Sequence, residues 1–142
     1  MIGISPYLLV ASWIAAVSST LPRSTMAIAA ATVDACDDFE CMAELVAIAR
    51  YESGFAVGAR GKRGEIGPWQ IDPAHLPAGP KTSLQEQARK AAALVAQSKA
   101  ACDRNPALDA LALYTSGDCR YGRRESRSRM RLAASILGSV IE

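Results

Sequence analysis

The stretch "FECMAELVAIARYESGF", residues 39–55, decides how this chain is read. Phe39, Met42, Leu45, Val46 and Ala49 recur at the three- and four-residue spacing of one helix face. Asp37, followed three residues later by Glu40, resembles a capping box with Asp in the usual Ser or Thr place. Gly54 is a suitable residue to end the helix, because glycine enters the left-handed conformation at little cost. The helix therefore finishes on a carboxylate, Glu52, on the face it shares with Ile48 and Ala49. The expected surroundings are an apolar wall on one side and a cleft on the other. Desolvation and the negative end of the helix dipole would both disfavour the anion there, which suits a group that must donate a proton near neutral pH.

Working outward, residues 55–72 hold four glycines, too many for a long helix, and read as a glycine-rich turn or short hairpin. "PAHLPAGP", 73–80, is a loop punctuated by proline. Ser83-x-x-Glu86 is a clean capping box opening a helix to about Cys102. Asn105-Pro106 pairs an N-cap with a first-turn proline and opens "ALDALALYTSG", which Gly117 closes. A last helix covers about 121–141. The fold class is mainly α: four helices after the N-terminal segment, with one short glycine-rich hairpin or turn.

At 142 residues the chain suits one domain with one core. Half of it is hydrophobic but only 6% aromatic, so the core is expected to be built from Ala, Leu, Ile and Val. The net charge of +2 is too small to argue for nucleic acid, and no nucleic-acid-binding motif accompanies it. The charge is nevertheless segregated. Residues 34–44 carry five acids and no base, and residues 120–131 carry six arginines and one acid, Glu125. The arginines read as a solvated face, with Met130, Leu132, Ala133, Ile136 and Leu137 to bury behind them. The functional alternative is attraction to an anionic polymer, which would weaken with salt.

"YLLVASWIAAV", 7–17, is shorter than the ~20 apolar residues of a membrane helix. It has the length of the apolar part of a secretory signal, and "MAIAAAT", 26–32, offers small residues for cleavage. Residues 1–31 are thus expected to be a leader and 32–142 the domain. No Lys or Arg precedes the apolar run, and Arg23 interrupts the stretch before the cleavage candidate, so a start at Met26 and an uncleaved amphipathic anchor stay open. All four cysteines follow this segment, which points to two disulfides and an exported protein, periplasmic or extracellular. Four cysteines allow three pairings; Cys36–Cys41 with Cys102–Cys119 is the local one and is favoured. A zinc site fits poorly, since there is no C-x-x-C and His75 is the only histidine.

Three short motifs occur in order between residues 52 and 117: E-S-G-F at 52–55, G-E-I-G-P-W-Q-I at 64–71 and A-L-A-L-Y-T-S-G at 110–117. As an ordered set they resemble the lysozyme-like superfamily, and most of all the soluble lytic transglycosylase domain, over roughly residues 36–135. The resemblance implies a small lysozyme-like α domain that cleaves the β-1,4 bond between N-acetylmuramic acid and N-acetylglucosamine, without cofactor or metal. It implies Glu52 as the catalytic acid and base, and Ser53 as a helix-end residue positioning the glutamate or the sugar, with plain helix capping as its other reading. Gly64 and Gly67 would let the backbone turn close to the glycan, and Gln70 and Tyr114 would line the cleft. Trp69 would either stack on a sugar ring or belong to the core, and Tyr114 has the same two readings, cleft or core.

Two positions depart from the pattern. Thr115-Ser116 replaces the usual Asn-Ala, so contacts to a sugar acetamide would differ. Glu65 stands where chicken-type lysozymes hold their second carboxylate, whereas many transglycosylases have an uncharged residue. Glu65 is therefore the candidate second carboxylate of a hydrolase, or else an exposed turn residue beside Lys62 and Arg63, with Asp72 a weaker candidate. The implied partner is the peptidoglycan glycan strand, met by a monomer with no stable membrane span. The reading from another class is a non-catalytic wall-binding module on the same fold; a third is a basic protein binding its partner through Arg123, Arg124 and Arg127.

Overall fold

The computed structural model describes residues 3–18, 24–77, 82–102 and 109–141. Six α-helices lie among them: α1 (Pro6–Val17), α2 (Thr25–Ala35), α3 (Phe39–Ser53), α4 (Leu84–Ala101), α5 (Ala112–Ser116) and α6 (Arg123–Ile141). A 3-10 turn covers Pro73–His75. The protein is mainly helical, as its alanine- and leucine-rich composition predicts. The Asn105-Pro106 helix start lies outside the described residues. The next described helix is the five-residue α5, closed by Gly117 at φ 76°.

α3 is the central element. Its whole run from Met42 to Ala49 is buried, Glu44 included, so it is apolar nearly all round rather than along one face. The small Ala43, Ala47 and Ala49 let neighbouring helices approach closely, and α6 packs along α3 while α2 packs along α4. Phe39, expected in the core, is 42% exposed at the first turn, where its ring meets the edge of Trp13. The N-cap is Asp38, not Asp37: its carboxylate accepts from the Cys41 N–H at 2.8 Å. At the other end, Gly54 N–H donates to Arg50 O at 3.1 Å and Phe55 N–H to Ala49 O at 3.3 Å, so two of the last carbonyls are satisfied. α4 begins as its capping box predicts, with Ser83 Oγ accepting from the Glu86 N–H at 3.1 Å.

The described part of the segment expected as a leader forms α1 and the first turns of α2. Val10, Trp13 and Ile14 of α1, and Ile28, Ala29 and Ala31 of α2, are buried in the cluster that also holds Leu45 and Ile48. Arg50 Nε donates to Val17 O at 2.9 Å, capping the end of α1. No helix among the described residues is long and apolar enough to cross a membrane.

Two disulfides join Cys36 to Cys41 and Cys102 to Cys119, the local pairing. The first ties the end of α2 to the first turn of α3. The second ties the end of α4 to the loop between α5 and α6. Such bonds belong to an oxidising compartment and are consistent with an exported protein.

The glycine-rich segment forms a folded loop with no strand among the described residues. It is pinned by isolated antiparallel bridges between Arg60 and Ile66 and between Ile66 and Ile71. Ile66 and Ile71 exchange both backbone hydrogen bonds, at 2.9 and 3.0 Å. The loop folds back over the C-terminal end of α3.

Candidate active site

A cleft of about 810 Å³ opens where α3, the glycine-rich loop, α4 and α5 meet. That lies in the ~300–1,000 Å³ range of small-ligand sites. Glu52, Glu65, Gln70 and Tyr114 all line it, so residues from all three sequence motifs reach one cavity. Lys62, Arg63 and Asp72, together with His75, form its rim on the loop side.

The end of α3 is locked to the loop by Ser53. Its hydroxyl donates to Pro68 O at 2.8 Å and accepts from the Ala56 N–H at 3.2 Å. Ser53 therefore fixes where the helix stops and where the second motif begins, and it does not line the cleft itself. Gln70 takes up a left-handed backbone at φ 50°, uncommon outside glycine. Its side-chain amide donates to Gly67 O at 2.9 Å, which holds the turn and presents the residue to the cleft.

Gly67 and Trp69 are placed elsewhere. Gly67 is buried at φ 77°, and a Cβ there would collide with the carboxamide of Gln87 on α4. It is needed for packing the loop against α4, not for approach to a ligand in the cleft. Trp69 is fully buried and donates from its indole nitrogen to Leu45 O at 3.0 Å. It presents no ring face for a sugar; of its two readings the core one describes it.

Tyr114 sits between cleft and core. Its phenol donates to Trp69 O at 2.8 Å. Burial, and next the negative charge of Glu52, push that phenol well above its usual range, so it stays a donor throughout ordinary pH. Thr115 and Ser116 also line the cleft, but both hydroxyls turn back to Ala112 O, at 3.1 and 3.0 Å.

Glu65 is oriented by its own turn. Its Oε2 accepts from the Arg63 N–H at 3.2 Å, and its carboxylate lies over Gly61, where a Cβ would collide with it. Asp72 caps the 3-10 turn, accepting from the Ala74 N–H at 2.9 Å, while also facing the cleft.

The wall beside Glu52 differs from expectation. In place of purely apolar surroundings, Arg129 of α6 donates from Nη2 to Glu52 Oε1 at 3.0 Å. Both side chains are mostly buried, at 11% exposure for Arg129 and 22% for Glu52. The Arg129 guanidinium also donates to Glu125 O at 3.1 Å and lies 5.1 Å from the Tyr51 ring centroid. The arginine-rich pattern alone groups Arg129 with the solvated arginines. The signal that places it lies in the spacing: Ser126, Arg129, Ala133 and Ile136 form one buried stripe at three- and four-residue intervals. Arg123 and Arg127 are also engaged, both reaching the buried Asp109, at 3.4 and 3.5 Å.

The arrangement is a carboxyl group with one oxygen held by a guanidinium, set in a cleft with a second carboxylate, a carboxamide and a half-buried phenol on its walls. Chemically it can exchange a proton with a bound oxygen atom. No family model, no curated protein and no solved structure matches the chain.

Proposed function

We propose that this protein is an exported lytic transglycosylase that cleaves the glycan strand of peptidoglycan between N-acetylmuramic acid and N-acetylglucosamine. The observation that carries the reading is the convergence of Glu52, Gln70 and Tyr114, from three motifs spread over the sequence, on one cleft. In this reaction the Glu52 carboxyl protonates the glycosidic oxygen as the C1–O bond breaks. The resulting carboxylate then takes the proton of the muramic acid 6-hydroxyl, and O6 bonds to C1. The proton lost in the first step is recovered in the second, no water is consumed, and the product carries a 1,6-anhydro ring.

A second reading, hydrolysis with Glu65 as partner carboxylate, is favoured by one feature. Glu65 lines the same cleft, with its carboxylate accepting from the Arg63 N–H. Substituting Glu65→Gln separates the two: a hydrolase loses most of its activity and a transglycosylase keeps it.

The test of the assignment is clearing of purified cell walls by the native protein and by Glu52→Gln. Clearing by the native protein and its loss in E52Q, at unchanged melting temperature, support the reading. Binding of glycan without clearing by the native protein would point instead to a non-catalytic wall-binding module.

A further inference from the structure

We infer that Arg129 is a positioning residue for Glu52: it fixes Oε1 and leaves Oε2 as the oxygen that exchanges protons with a substrate in the cleft. This rests on the proposed role of Glu52 and deepens it.

The contact is one-pronged. A guanidinium facing a carboxylate end-on commonly forms two parallel hydrogen bonds, which would occupy both oxygens. Here only Nη2 reaches Glu52, and only at Oε1. Nη1 is engaged by Glu125 O at 3.1 Å, one turn back on the same helix. Among the described residues nothing donates to Oε2, and the side chain that carries it lines the cleft.

The guanidinium is also held rather than merely near. Glu125 O and the Tyr51 ring grip it from α6 and α3, and Ser126, Ala133 and Ile136 bury the face of α6 on which it stands. Its Nε has no partner among the described residues, so the desolvated group is incompletely satisfied. A mostly buried ion pair is a poor device for stability, because desolvation offsets most of the attraction. It is a good device for fixing a rotamer, because the planar fork tolerates few orientations.

Several other charged or titratable groups share the surroundings of Glu52. Tyr114 approaches from α5, and Lys62, Arg63, Glu65, Asp72 and His75 face the cleft from the loop and the 3-10 turn. Among the described residues, Arg129 alone makes an ion pair with Glu52.

The experiment compares the native protein with Arg129→Met and Arg129→Lys in two assays. The first is release of soluble glycan fragments from purified peptidoglycan at one fixed pH. R129M is expected to lower plateau kcat by about 10–100-fold with little change in KM, since a misplaced acid slows the chemical step. R129K, with a cation but no planar fork, falls between. The second assay records the NMR signal of the Glu52 carboxyl carbon at one fixed pH, assigned with E52Q. That signal is expected to move and to broaden in R129M, where the side chain is no longer held in one rotamer. Near-native kcat in R129M, or an unchanged carboxyl signal in both variants, overturns the inference. If the native protein releases no fragments, the enzymatic reading fails by itself, and the NMR signal still decides whether Arg129 holds the Glu52 side chain. If R129M does not fold, R129K carries the comparison, and native behaviour in both of its assays overturns the inference.

Discussion

The phenol of Tyr114 donates a hydrogen bond to the backbone oxygen of Trp69 at 2.8 Å. This one bond joins α5 to the glycine-rich loop just behind Glu52, so the last sequence motif buttresses the second. Tyr114→Phe keeps the ring but strands a carbonyl, an expected loss of about 1–3 kcal/mol measured by urea unfolding. Activity on peptidoglycan should drop with it, as the loop wall of the cleft loosens.

The same residue predicts an alkaline weakness. Its folded-state value lies above the usual 10.0 of a tyrosine phenol, with burial as the main cause. Above about pH 10 the unfolded chain releases this proton and the folded protein keeps it, so stability falls as pH rises, by about 1.4 kcal/mol per pH unit. Below that value the contribution is intact. Unfolding curves between about pH 9 and 11 should show the slope in the native protein and a shallower one in Y114F.

Lys99→Met should cost about 3–5 kcal/mol, because removing the lysine leaves a carboxylate uncompensated in the core. Lys99 reaches from α4 to the buried Glu44 at 2.6 Å and to the exposed Glu40 at 3.3 Å. Burial works against its ammonium, but hydrogen bonding and attraction from Glu44, then Glu40, outweigh it and hold the group above the usual lysine value. The double variant Glu44→Met/Lys99→Met should recover much of the loss, as read by chemical denaturation.

Replacing Cys102 and Cys119 with serine should destabilise the protein by about 3 kcal/mol, the loop-entropy expectation for a separation of 17 residues. Cys36 and Cys41, separated by 5, should cost less, about 2 kcal/mol. Thermal melts of each pair variant, and of the native protein with and without reductant, check the order.

The parts legible in the sequence are those decided locally. Ser83, Gly54 and Gly117 mark helix ends because capping depends on a few neighbouring backbone groups, and the structure uses all three. With Asp37 and Asp38 adjacent, sequence pattern does not say which one reaches the Cys41 N–H, and the cap falls one residue later than the pattern suggests. The all-round burial of α3 is not legible, because Glu44 reads as a solvent-facing position. Its partner Lys99 stands 55 residues away and meets it only once α4 is packed against α3. Arg129 is the same case at a separation of 77 residues. In both, a charge on a helix reads as part of a solvated face although it is one half of a buried pair. Trp69 is open between core and cleft in the sequence, and its indole bond to Leu45 O decides for the core.

Whether Glu52 breaks the glycan by transferring a proton out and back is decided by mass spectrometry of the fragments released from purified peptidoglycan. The proposed mechanism predicts 1,6-anhydromuramyl ends from the native protein and none from a folded Glu52→Gln variant. Fragments released equally by E52Q, or no fragments from the native protein, would contradict it.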